Sequence, residues 1–242
     1  MNKALFWDFD GTLVKSVSLW SHSLLRALKD SWAECPCGLE DIRPHLRSGF
    51  PWDTPQENLT HLTGEAWWVH MNRHFKNVCL ALGANYTVAY AAAQKVRDIL
   101  LEPGNYNLFE DTHTALQAMA ALGFKQYIVS NNHPDLAPLL EQIGLSHYFN
   151  AVIVSGEIGF DKPRKEIYEF ALQKAGYPNL CYMIGDNPYA DGEGAKNAGI
   201  MPLLVHLKHQ ADGFSCFDTL LDTTQYIQEE LHAASRNDHS GL

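Results

Sequence analysis

The chain has 242 residues, 46% of them hydrophobic and 19% charged, with a net charge of −10. That length suits one large core, or a core carrying an inserted domain, and the composition excludes a disordered or fibrous chain. The negative charge makes nucleic acid and anionic membrane surfaces poor electrostatic partners, and no apolar run approaches the roughly 18 residues of a membrane span.

Met1-Asn2-Lys3 leads into a short apolar run without a small-residue cleavage site, so no secretory signal is expected. Lys3 to Trp7 then reads as a buried strand that ends in turn residues, Asp8-Phe9-Asp10-Gly11-Thr12. Two carboxylates at the tip of an apolar strand are costly to bury unless chemistry requires them.

Residues 15 to about 103 hold almost no strand signal. Val17 to Trp32, Gly64 to Leu82 and Val88 to Leu101 have helical spacing. In the second, Trp68, Met71, Phe75, Val78 and Leu82 recur every three or four residues, a stripe that reads as packed core. The segment is therefore expected to be a helical insertion, with joints near Val14-Lys15 and Glu102-Pro103-Gly104. Between its helices lies Arg47-Ser48-Gly49-Phe50-Pro51-Trp52. Gly and Pro fix a turn there, and Arg47 is a candidate contact to an anionic substrate.

After the insertion, short apolar runs alternate with helical stretches. Gln126–Val129, Ala151–Val154, Leu180–Ile184 and Pro202–Val205 are continuously apolar, as strands covered on both faces are. Asp111 to Leu122, Pro134 to Ile143 and Pro163 to Ala175 read as helices, each stopping before a glycine. This alternation implies an α/β fold, a doubly wound parallel sheet formed by residues 1–14 and 104–242, with residues 15–103 as an α-helical cap. The polar end, Ala233 to Leu242, reads as disordered.

Polar clusters follow four of the strands: Asp8-x-Asp10, then Ser130-Asn131-Asn132, then Asp161-Lys162-Pro163, then Gly185-Asp186-Asn187 with Asp191 beyond. In an open parallel sheet these ends share one edge, where ligands bind. Several close carboxylates need counter-charge. Lys162 supplies one positive charge, and the rest calls for a hard divalent cation, Mg²⁺, among oxygen ligands. Such a site suits phosphoryl transfer. Asp8 reads as the nucleophile, Asp10 as general acid and base, and Ser130 with the N–H groups of the following helix start as a phosphate grip supported by Lys162.

Other motifs fail. An EF-hand-type calcium loop starting at Asp8 would need glycine and glutamate where Leu13 and Leu19 stand. His70 and His74 share a helix face, but with His22 and His133 they offer no third zinc ligand in sequence. Cys35, Cys37, Cys79, Cys181 and Cys216 form no paired framework and read as free thiols of a reducing cytoplasm.

Asp8-x-Asp10-Gly11-Thr12, Ser130, Lys162-Pro163 and Gly185-Asp186…Asp191 together resemble the four motifs of the haloacid dehalogenase (HAD) superfamily. The resemblance spans the whole chain and places the insertion like that family's type-1 cap. It implies a Mg²⁺-dependent phosphohydrolase that works through an aspartyl-phosphate on a small phosphorylated metabolite. It makes Asp8 nucleophile and metal ligand, has Asp10 bind metal through its carbonyl, makes Asp186 a ligand and Asp191 its support, with Thr12 also supporting, and puts Ser130, Asn131 and Lys162 on phosphate. Members that dehalogenate lack the second aspartate, so Asp10 implies an oxygen leaving group. Sugar phosphomutases keep both aspartates, so that reading stays open. A phospho-aspartate receiver, or a catalytically inactive binding protein, is the alternative from another class. The sequence leaves the oligomeric state open.

Overall fold

Five consecutive residues, Lys3–Trp7, form the first strand, β1, and the four after Lys3 are buried. Its surroundings are seen in a computed structural model, which describes residues 2–15, 18–207 and 209–239. After β1 come β2 (Val14–Lys15) and the helices α1 (Leu19–Lys29), α2 (Leu39–Ile42), α3 (Glu65–Ala81) and α4 (Tyr86–Leu100). Val17, the expected start of α1, lies outside the described residues. The chain continues through β3 (Asn107–Leu108), α5 (Thr112–Ala121), β4 (Lys125–Ser130), α6 (Leu136–Gln142), β5 (Ala151–Val154), α7 (Ser155–Ile158) and α8 (Lys165–Lys174). It ends with β6 (Leu180–Gly185), α9 (Gly194–Asn197), β7 (Met201–Val205), β8 (Ser215–Phe217) and α10 (Leu220–His239).

The main sheet runs β5-β4-β1-β6-β7-β8, and every neighbouring pair is parallel. Side chains of β1 alternate between its faces, as strand geometry demands. Leu5 and Trp7 join a core with Leu116, Leu139, Leu220 and Ile227. Ala4 and Phe6 join one on the other face with Ile167, Tyr168 and Ala195. Burial on both faces explains why the central strands read as unbroken apolar runs. The last strand, β8, was not apparent in the sequence. It is a three-residue edge strand, nowhere fully buried, so hydrophobic pattern cannot mark it.

The helical insertion has its own core. Leu24 and Leu28 of α1, Trp67, Trp68, Met71 and Phe75 of α3, and Val96 and Leu100 of α4 are buried together. Asn85 caps α4 by accepting from the Val88 N–H at 3.0 Å. The insertion is clasped where it leaves the sheet. There β2 pairs antiparallel with β3, placing Val14 against Leu108 and Lys15 against Asn107. Further bonds tie it to α7, the short helix after β5: Leu59 N–H to the Gly159 carbonyl (3.0 Å) and Gly64 N–H to the Gly156 carbonyl (2.9 Å). Gly159, at φ 76°, is required there, because a Cβ would lie 2.4 Å from Thr60 Cα. All five cysteines are free thiols.

The C-terminal expectation needs correction. Residues 233–239 continue α10 instead of being disordered, and only 240–242 of that segment lie outside the described residues. Leu220, Thr223, Thr224 and Ile227 bury one stripe of the helix, and Leu231 packs against the same core. Helix propagation through the alanines that follow costs little once that stripe is anchored. Ile227→Ala is accordingly expected to destabilise the protein by about 2–5 kcal/mol, read as a lower urea midpoint. An unchanged midpoint would show that α10 is not part of the cooperative core.

Candidate active site

Backbone pairing carries β1 one residue past its last ladder position: the Asp8 N–H donates to the Ile184 carbonyl at 2.9 Å. Asp8 thus leaves the sheet between the ends of β4 and β6, at a switch in strand order. Gly11 turns the chain back, with its N–H on the Val14 carbonyl at 2.8 Å. Its φ is 80°, and a Cβ there would lie 2.2 Å from Asp186 Oδ2. Only glycine lets the loop after Asp8 come this close to the carboxylate at the end of β6.

Asp186 follows β6. Asp191 comes from a π turn over Pro188–Glu193, opened by Asn187, whose side-chain oxygen accepts from the N–H groups of Tyr189 and Ala190, both at 3.0 Å. The Asn187 N–H in turn donates to Asp191 Oδ2 at 3.0 Å. A Cβ on Gly185 would lie 2.2 Å from Asp191 Cγ, so close approach again selects glycine.

Lys162 joins these parts. Its Nζ donates to Asp8 Oδ1 at 2.8 Å and to Asp191 Oδ1 at 2.6 Å, and the lysine is 3% exposed. The backbone of Lys162 is fixed by Asn131. The Asn131 Nδ2 donates to its carbonyl at 3.0 Å, and its N–H donates to Asn131 Oδ1 at 2.6 Å. Asn131 lines the cavity, and its side chain also positions Lys162, with one N–H of its amide engaged by the Lys162 carbonyl.

Charge balance in the cluster is incomplete. Burial pushes the Asp186 carboxyl up to about 7, reinforced by Asp8 and Asp191 and opposed by Lys162. Burial likewise lifts Asp191 to about 6, against the pull of Lys162. For Lys162 burial works downward, but Asp191 and Asp8 outweigh it and hold the ammonium above its ordinary range. Carboxylate oxygens of Asp8, Asp186 and Asp191 lie within 4.8 Å of one another. Three hard oxygen donors, one ammonium and an unmet negative charge fit a divalent cation of the Mg²⁺ type.

The carboxylate of Asp10 is held by a residue that sequence reasoning gave no role. Asn132 Nδ2 donates to Asp10 Oδ2 at 2.6 Å. Asn132 is itself tied down: its N–H donates to Ser155 Oγ at 3.2 Å, and its carbonyl accepts from the Gly156 N–H at 3.0 Å. These bonds correct one expectation. The helix after β4 begins only at Leu136, the Asn132 N–H is used by Ser155, and the His133 N–H is used by Asn132 Oδ1 at 2.8 Å. Those amides therefore do not form a helix-start phosphate cradle beside Ser130.

Asp8, Asp10, Ser130, Asn131, Lys162, Asp186 and Asp191 all line one cavity of about 460 Å³. Two expected residues do not. Thr12 is fully buried behind the turn, and its hydroxyl has no hydrogen-bond partner among the described residues. Arg47 is exposed and outside the lining, whereas Phe50 and Trp52 of the same loop are in it. The remaining wall includes Trp20, Tyr106, Tyr189 and His133.

His133 is buried beside Trp20, Trp67 and Trp68, with ring centroids at 6.2, 6.5 and 5.7 Å. Burial lowers its pKa to about 4; Asp135 opposes that shift and Arg97 adds to it. The unfolded chain then binds a proton near pH 6.5 that the folded chain refuses until about pH 4. The stability tied to neutral His133 is whole above pH 6.5 and falls as pH drops toward 4, by roughly 3 kcal/mol. Asp186 and Asp191 work in the opposite sense, so the comparison must be made between variants. Against wild type, His133→Gln is expected to flatten the acid-side loss between pH 6.5 and 4 in urea titrations. Parallel curves for the two proteins would refute the burial of a neutral imidazole.

Comparison with known proteins agrees with this geometry. The chain matches the model of haloacid dehalogenase-like hydrolases over residues 2–199. It is 30% identical to the glyceraldehyde 3-phosphate phosphatase of Methanothermobacter thermautotrophicus over 217 residues, 85% of this chain and 86% of that protein. Against the phosphoserine phosphatase of Thermus thermophilus it is 34% identical over 106 residues, 43% of each chain. The chain thus spans less than half the length of that relative. Among solved structures, the fold is similar to that of YfnB from Bacillus subtilis, described as a HAD-hydrolase bound to magnesium (TM-score 0.72, 19% identity, 94% of this chain and 99% of that one). It is also similar to L-2-haloacid dehalogenase from Xanthobacter autotrophicus (TM-score 0.67, 20% identity, 94% and 99%). A site at the carboxyl edge of a parallel sheet, in a chain matched over most of its length, makes this protein a member of the haloacid dehalogenase-like hydrolase family.

Proposed function

We propose that the protein is a Mg²⁺-dependent phosphatase that cleaves a small phosphate monoester through an aspartyl-phosphate on Asp8. One observation supports this most: Asp8, at the tip of the central strand, sits 2.8 Å from a buried lysine and opens on a cavity that Asp10 also lines. Residues 15–103 serve as the cap over that cavity.

In the first half-reaction an oxygen of Asp8 attacks phosphorus, and the bond from phosphorus to the ester oxygen breaks. Asp10, oriented by Asn132, gives its proton to that departing oxygen. In the second, Asp10 takes a proton from water as the water oxygen attacks the phosphorus. The bond to Asp8 breaks, phosphate leaves, and Asp8 is restored. Lys162 offsets charge on Asp8 and the transferring group throughout. A divalent cation held by Asp8, Asp186 and the Asp10 carbonyl, with Asp191 in support, would neutralise the phosphoryl oxygens. Having Asp10 as a proton donor favours an oxygen leaving group, which must be protonated, over a halide. Relatives named phosphatases, including the pyrimidine 5′-nucleotidase YjjG of Escherichia coli (34% identical over 106 residues), are consistent with that chemistry.

Wild type is expected to turn over p-nitrophenyl phosphate repeatedly with Mg²⁺, to stop on adding EDTA, and to recover when Mg²⁺ is restored. Asp8→Asn is expected to show no turnover and no acid-stable ³²P label. Sustained turnover by Asp8→Asn would remove the covalent route. Asn132→Ala is expected to lower kcat by ten- to a hundredfold through misplacement of Asp10, with KM little changed. A kcat equal to wild type would show that Asp10 does not depend on this bond.

A further inference from the structure

Beyond the polar floor, the cavity wall is aromatic. Trp20 and Phe50 meet edge to face at 5.2 Å between centroids, and Phe50 stacks on Trp52 at 4.7 Å with the planes 10° apart. Trp20 and Trp52 are half-buried while lining the cavity, so part of each is uncovered. Tyr189, an exposed residue of the π turn, lines the same space from the sheet side. Stacked rings of this kind offer flat, polarisable surface for another ring.

Among the described residues, the aromatic part of the wall carries no cation. Among the described residues that line the cavity, Lys162 is the only cation, and Asp8 and Asp191 already engage it. His133 is buried in neutral form. Arg97 lies outside the lining and is committed to Asp135 at 2.7 Å and Glu65 at 2.8 Å. Arg47 is outside it too. Four carboxylates face this space, so a substrate bringing a carboxylate or a second phosphate would add repulsion with nothing to pair it.

We infer that this site selects phosphate monoesters whose leaving group carries a flat, uncharged ring system, and rejects those whose leaving group carries a second anion. The inference rests on the phosphatase reading above and assigns its substrate class. Aryl phosphates and nucleoside 5′-monophosphates share that chemistry. A cavity of about 460 Å³ is large enough for a phosphoryl group and either ring system.

Matched pairs of substrates test it, assayed on the full chain with Mg²⁺. A nucleoside 5′-monophosphate against ribose 5-phosphate puts the base in place of the anomeric hydroxyl. A naphthyl phosphate against phenyl phosphate differs only by a fused ring. In either pair, the larger ring system is expected to raise kcat/KM roughly tenfold or more, as base–aromatic stacking does elsewhere. Which pair shows the greater gain identifies the source of the ring. Third, 2-phosphoglycolate against ethyl phosphate is expected to lose about tenfold, although its leaving group is intrinsically the better one. Trp52→Ala is expected to bring the ring-dependent ratio toward one by lowering kcat/KM for the larger substrate more than for the smaller. Ratios near one in both ring pairs, a preference for 2-phosphoglycolate, or equal losses in Trp52→Ala would each overturn the inference while leaving the phosphatase reading intact. Failure to hydrolyse any ester with Mg²⁺ would overturn both.

Discussion

The site depends on one buried ammonium. Lys162 sits between Asp8 and Asp191, which come from the ends of different strands, and touches both. A lone carboxylate at such depth would take up a proton. An unpaired lysine there would lose one. Together the three can remain charged, and removing one partner from such a cluster typically costs about 3–5 kcal/mol. Much of the local backbone serves this contact. Asn131 clamps the Lys162 main chain, Asn187 turns the helix that carries Asp191, and Gly185 leaves the room Asp191 occupies.

A triad with two acids and one base still carries excess negative charge, and Asp186 adds to it. The elevated pKa values of Asp186 and Asp191 record that excess. Without a cation, a proton can relieve it. A divalent cation relieves it better, because it binds several oxygens at once. The same acids that hold protons this firmly therefore also fit a hard divalent cation.

How much of this was legible in the sequence follows from where each signal resides. Five of the six strands of the main sheet announce themselves because both faces are covered, leaving no polar alternation to confuse the pattern. Their polar tips gave Asp8, Asp10, Ser130, Lys162, Asp186 and Asp191 directly, since a parallel sheet puts those ends on one edge. Two-residue β2 and β3 and three-residue β8 are too short to carry any period. Asn132 and Asp10 are 122 residues apart in sequence, and neither residue alone signals the bond. The two bonds from the Asn131 side chain to the backbone of Lys162 join residues 31 apart, and neither residue alone signals them. In the loop of Arg47, the visible charge drew attention, but it faces solvent while Phe50 and Trp52 face the cavity. An aromatic residue that lines a site and one that fills a core have the same spacing, so only packing separates them.

One segment shows how the polar floor and the aromatic wall are kept in register. Ser130 ends β4 at the cavity. Asn131 then fixes Lys162, and Asn132 fixes Asp10. His133 packs among Trp20, Trp67 and Trp68 of the helical insertion. Two residues later, Asp135 accepts from Arg97 Nη2 at 2.7 Å and from Trp68 Nε1 at 2.5 Å. Six residues thus touch Lys162, Asp10 and the aromatic wall of the helical insertion. A shift of this segment would move all three at once. One stretch of chain thus ties the polar floor to the aromatic wall, and the spacing between them is set by the same contacts that hold Lys162 and Asp10.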